Sequence, residues 1–279
     1  MGGRITRGFE LAGKSFAVLR EHQTLVLFPL ISAPATLVAG GALFGPGVGL
    51  YYSSGHQEAW LVVFGLLGFF AVTFVAIFFN VALAAAAVKG LQGEETSVRY
   101  GLSVAWSRVG PIAGWALVQT VVGLIIHALE QLLNEGILGQ IVASLLNFAW
   151  SVATFFVVPV IALEGPGPIQ AFKRSTRILR ERWGEGLVGA AAIGFVLVFI
   201  PGLIVAVLAG IGIATLSAHE ALAIGLFVVA GAIAIVAGIV SSTVTGIFRV
   251  AVYEYAVENR ALGGFSGVEL ESAFRPRRF

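Results

Sequence analysis

The residues best suited to chemistry in this chain are basic, and they are bunched. Residues 172–186 read FKRSTRILRERWGEG and carry Lys173, Arg174, Arg177, Arg180 and Arg182. Guanidinium groups grip phosphate oxygens in pairs, and lysine adds a compact point charge. The cluster therefore suits anionic lipid headgroups, and these five residues form the expected headgroup-binding site. A second set consists of polar groups inside apolar stretches, namely Asn80, Asn147, Ser151 and Arg249. Such groups mark a candidate intramembrane polar site, although Asn147 and Ser151, four apart on one helical face, also suit a hydrogen-bonded pair between helices. The third set pairs histidine with glutamate: His56 with Glu58, His127 with Glu130, His219 with Glu220. Three neutral imidazoles could hold zinc if the fold brought them together. Polar caps at a membrane surface explain them better, so no metal and no cofactor is expected.

Other chemistry is poorly provided for. Cysteine is absent, which excludes disulfides, thiolate metal sites and cysteine nucleophiles. Aspartate is absent too, so all 15 acids are glutamates. No HExxH or GxSxG string occurs, and no two carboxylates share a mid-membrane position. The expectation is a protein that is not an enzyme and has no phosphate-binding loop.

The elements that must position these residues are apolar. Of 279 residues, 58% are hydrophobic and 11% charged, against about 25% charged in soluble domains. That leaves too little polar surface to face water on all sides. About 20 apolar residues cross a bilayer as a helix, and six stretches suffice: roughly 24–50, 59–88, 111–133, 138–163, 186–215 and 220–250. Pro29, Pro34 and Pro46 predict a kinked or broken first span, and the sixth is long enough to project beyond the bilayer. All 17 Lys and Arg fall in the N-terminal arm, the even-numbered connections and the C-terminal segment. The connections after spans one, three and five carry only glutamates. Basic residues remain cytoplasmic, so both termini are expected there, in a bacterial or archaeal inner membrane. Charges interrupting the first twenty residues argue against a cleaved signal peptide.

Three amphipathic segments precede the span pairs, at about 4–22, 96–109 and 168–183. Their apolar stripes are Ile5, Phe9, Ala12, Phe16 and Leu19; Val98, Leu102, Ala105 and Val109; and Ile169, Phe172, Thr176, Leu179 and Trp183. Such helices lie in the headgroup plane with the apolar side in lipid. The strings SFAVLR, SVAWSR and STRILR align Ser15, Ser103 and Ser175, which suggests three helix-plus-hairpin repeats. The fold expected is an all-α integral membrane protein, with one six-span domain over 1–260 and a basic cytoplasmic tail over 261–279.

The stretch 149–185, AWSVATFFVVPVIALEGPGPIQAFKRSTRILRERWGE, resembles a family of uncharacterised multi-pass membrane proteins of bacteria and archaea. Arg174, Ser175, Leu179 and Trp183 more loosely resemble the membrane domain attached to some glycerophosphodiester phosphodiesterases. These likenesses imply a fold and a location, and no catalytic residues. The expected function is that of a non-catalytic membrane scaffold or complex subunit that binds anionic phospholipid or a membrane protein. The alternative is a small-solute transporter or channel. Nucleic acid is not an expected partner, because the basic residues alternate with membrane-seeking Phe, Leu and Trp.

Overall fold

The computed structural model describes residues 2–133, 137–183, 190–216, 219–267 and Leu270. Among them there are helices and no strand. Among the described residues, five helical stretches are long and apolar enough to cross a membrane: Gln23–Ser53, Glu58–Leu91, Val109–Leu132, Gly139–Leu163 and Glu220–Glu258. The protein is an all-α membrane protein.

The elements run as follows. α1 (Gly2–Glu21) leads through a short 3₁₀ turn into α2 (Leu27–Ser53), and α3 (Glu58–Leu91) returns antiparallel to it. The short α4 (Val98–Ser107) bends into α5 (Val109–Leu132). α6 (Ile137–Ala153) and α7 (Val157–Leu163) together make one span in two pieces, followed by α8 (Pro168–Trp183). α9 (Ala190–Thr215) and α10 (Glu220–Glu258) close the chain as a second long hairpin. The three amphipathic segments are thus helices, close to their expected bounds.

α3 lies at the centre and packs on α2, α4, α5, α7 and α10, while α1 lies across α9 and α10. Burial is strongly uneven along these helices. Residues 81–87 of α3 and 250–254 of α10 are buried without interruption, whereas Leu61–Val63 and Val228–Val229 are exposed. The largest fully buried side chains, among them Trp115, Phe28, Phe156, Leu83, Ile161 and Ile247, all belong to the end of the bundle that carries the basic residues. Lipid solvates an apolar side chain as well as another helix does, so the distal halves gain little by burying theirs. Where headgroups and water begin, apolar groups gain by mutual burial, and there the core forms.

Three sequence expectations require correction. The first span is not broken: α2 is continuous through Pro34 and Pro46, and Pro29 falls in its first turn, where a missing N–H costs little. The break lies instead in the fourth span, between Ala153 and Val157, just before Pro159. Nor do the short helices turn their apolar sides to lipid alone. α1 buries Leu11, Ser15, Val18 and Leu19 against protein, and α8 buries Ala171, Ser175, Ile178 and Leu179 at the same spacing. In α4 the buried pair is Gly101 and Ala105, and Ser103 is exposed, bonding to the Tyr100 carbonyl. By burial, Ala105 and not Ser103 corresponds to Ser15 and Ser175.

The start of the C-terminal segment is also docked rather than loose. The Gly263 N–H donates to the Leu91 carbonyl at 3.1 Å, Lys14 Nζ donates to the Gly264 carbonyl at 2.8 Å, and Phe265 and Leu270 are buried.

Candidate functional site

The densest polar structure forms where the fourth span breaks and α8 crosses it. Pro159 lacks an N–H and its ring crowds the preceding turn, and the chain loosens at Thr154–Phe156. There the Phe155 N–H donates to Val152 O and the Val157 N–H to Thr154 O. This shift takes both the Phe156 N–H and the Ala153 carbonyl out of the regular helical ladder. Ser175, on α8, serves both: its Oγ accepts from the Phe156 N–H at 3.1 Å and donates to Ala153 O at 2.8 Å. Ser175 is fully buried, so no water competes for these groups.

The second half of the junction is ionic. Glu164 Oε1 accepts from Tyr253 Oη at 2.6 Å and from Arg174 Nε at 3.0 Å. One carboxylate thereby ties α7 to α10 and α8. Gly165 follows at φ +75°, a left-handed conformation that a Cβ disfavours. A Cβ there would also fall on the Arg108 guanidinium and displace that side chain, so it is the backbone conformation that requires this glycine. Arg249 stands 5.3 Å from the centre of the Phe155 ring, and its Nε is buried without a hydrogen-bond partner. Arg249 thus makes a cation–π contact at the break.

Aromatic stacking holds the other side of α8. The Phe172 ring lies 5.5 Å from Trp150 and 6.3 Å from Trp115, and the two indoles are 5.8 Å apart. Trp150 Nε1 donates to Gln119 Oε1 at 2.5 Å. Phe172 was expected in lipid, but it is the α8 member of this stack. Ile169 alone of the described stripe residues on α8 is largely exposed, at 54%.

The five basic residues separate into different environments. Lys173, Arg177 and Arg180 are exposed, and their i, i+4, i+7 spacing puts them on one stripe, opposite the buried Ala171, Ser175 and Ile178. Arg174 is engaged with Glu164. The side chain of Arg182 lies outside the described residues, as does that of Trp183.

The intramembrane polar set does not assemble. Asn80 Nδ2 bonds to Ala76 O at 2.8 Å, and Asn147 Nδ2 bonds to Ala143 O at 2.9 Å, each within its own helix. The bond between helices expected of Asn147 is therefore replaced by one to its own backbone, and Ser151 is exposed. α3 and α6, which carry Asn80 and Asn147, are not among the principal packing pairs. The histidines also stay apart: among the described residues no three potential ligands group to hold a metal ion. His56 packs edge-on against Tyr51 and Tyr52, and His127 bonds to Gln131 at 3.1 Å.

One string escaped the reading of the sequence. Residues 8–15, GFELAGKS, satisfy the GxxxxGK[ST] spacing of a phosphate loop, so the expectation of none was too strong. That chemistry needs a loop between strand and helix whose N–H groups are free to face phosphate. Here the whole string lies inside the continuous α1, Ser15 is fully buried, and Lys14 holds Gly264. The match is one of letters only.

Among curated proteins none matches this chain, and the looser likeness to the glycerophosphodiester phosphodiesterase membrane domain finds no support. The junction residues Arg108, Glu164, Arg174, Ser175, Arg249 and Tyr253 all lie within residues 59–265, which match the family of unknown function DUF6159. The chain belongs to that family.

Proposed function

We propose that this protein is a non-catalytic scaffold of the bacterial or archaeal inner membrane that gathers anionic phospholipid at its basic end. In this reading six helices span, with α9 as the fifth, both termini are cytoplasmic, and the bundle derives from three helix-plus-hairpin units. The distribution of Lys and Arg supports that orientation through the positive-inside rule. The observation that carries the lipid reading is the stripe of Lys173, Arg177 and Arg180, exposed on α8 while Arg174 is consumed internally by Glu164. A helix that needed its charges only for orientation would gain nothing from fixing them in a row on a rigid, deeply anchored support. Each basic residue near an anionic surface contributes about 1 kcal/mol, so the three together contribute about 3 kcal/mol.

The test is native mass spectrometry of wild type and the triple variant Lys173→Gln/Arg177→Gln/Arg180→Gln in mixed phosphatidylglycerol and phosphatidylethanolamine. Wild type should retain phosphatidylglycerol preferentially and the variant should not. Equal retention, with the fold intact, would reduce the stripe to an orientation signal.

A further inference from the structure

A groove of about 370 Å³ runs between α2, α3 and α10, away from the α8 stripe. Its lining is apolar apart from Ser32, Asn80 and Ser242, one polar residue from each helix. We infer that this groove is a second lipid site, which holds a glycerolipid by its ester and glycerol level with an acyl chain along the groove.

The three polar residues share one depth. Asn80, Ser242 and Ser32 lie about 32 Å, at 1.5 Å per residue, from the distal ends of their helices at Glu58, Glu220 and Ser53. The hydrocarbon layer is about 30 Å thick. Three chain-distant polar residues thus meet at one level, the basic-side boundary of the hydrocarbon, where the ester carbonyls of glycerolipids sit. The groove is also enclosed. Leu83 lies so close to α10 that a Cβ on Gly246 would stand 2.7 Å from its Cδ2, which closes the groove below the polar level. Above it, Ile235 and Gly238 continue as an apolar channel toward the distal side. Asn80 lines the groove and spends one N–H on Ala76 O, which leaves its other N–H and its Oδ1 for a ligand, at a depth where water is scarce and an unpaired amide is costly. Ester carbonyls and glycerol oxygens match these groups. No charged side chain lines the groove, so it selects for the glycerol level and is indifferent to headgroup charge.

The experiment is native mass spectrometry of the intact protein offered phosphatidylethanolamine or phosphatidylglycerol separately. Wild type should keep one lipid of either kind under activation that strips the rest. Asn80→Leu removes the amide. Gly238→Leu leaves all three polar groups and fills the channel; nothing stands within 4 Å of a Cβ at Gly238, so the fold should tolerate it. Each should lower retention of that lipid about tenfold, the scale of one good hydrogen bond or a blocked chain. The α8 triple variant should leave phosphatidylethanolamine retention unchanged. Wild-type retention in both groove variants, or absence of a retained lipid in wild type, would overturn the site; loss of it in the α8 variant alone would assign it to the stripe instead.

Discussion

Two buried serines, at the same place in the burial pattern of α1 and α8, carry opposite energetic weight. Ser175 Oγ holds two backbone groups of a broken span, whereas Ser15 Oγ is buried with no hydrogen-bond partner. An unsatisfied buried polar group costs about 1–3 kcal/mol. Ser175→Ala orphans two of them and should destabilise by about 2–4 kcal/mol. Ser15→Ala removes an orphan and should be neutral or slightly stabilising. Unfolding of both variants in a denaturing detergent series measures the difference; equal effects would show that Ser175 does not cap the break. The sequence singled out both serines through SFAVLR and STRILR, yet it could not separate them. What distinguishes them is a partner 22 positions back at Ala153, and no local pattern encodes that pairing. The roles of Glu164 and Gly165 were hidden for the same reason: Tyr253 and Arg108 reach them from distant parts of the chain.

At the scale of elements, periodicity located α1, α4 and α8 well, because an apolar stripe at helical spacing is a local property. It did not say what the stripe meets. Lipid and protein core accept the same side chains, so Phe172 suited either. Its stack with Trp115 and Trp150 fixes α8 to α5 and α6. Phe172→Ala should therefore cost about 2–4 kcal/mol, near the lower part of the range for buried aromatics, and should red-shift tryptophan emission as water or detergent reaches the indoles. Ile169→Ala, on the exposed side, should do neither. A large loss from Ile169→Ala with none from Phe172→Ala would return the helix to the lipid-facing orientation. Prolines misled for a related reason. A proline in a membrane helix breaks it only where some other group can satisfy the freed backbone, and Ser175 provides that group at the fourth span.

For the molecule as a whole, charge segregation and hydropathy made the membrane class legible, and the match to DUF6159 over residues 59–265 agrees with an uncharacterised family. The concentration of the core at the basic end was not legible, since α3 and α10 carry apolar side chains along both their exposed distal halves and their buried basic-end halves. It has a consequence for topology. If the basic end is cytoplasmic, a cysteine at Ser54, in the turn between α2 and α3, should react with an impermeant thiol reagent added to intact cells, and one at Gly93, after α3, should react only once cells are opened. The reverse pattern would invert the orientation.

In the proposed function the basic end gathers anionic phospholipid through Lys173, Arg177 and Arg180. The most direct test of this is the composition of the lipid shell extracted with the protein in polymer-bounded native nanodiscs, measured against the parent membrane. Wild type should be enriched in phosphatidylglycerol or cardiolipin, and Lys173→Gln/Arg177→Gln/Arg180→Gln should return to the bulk ratio. A wild-type shell that matches the bulk membrane would contradict it.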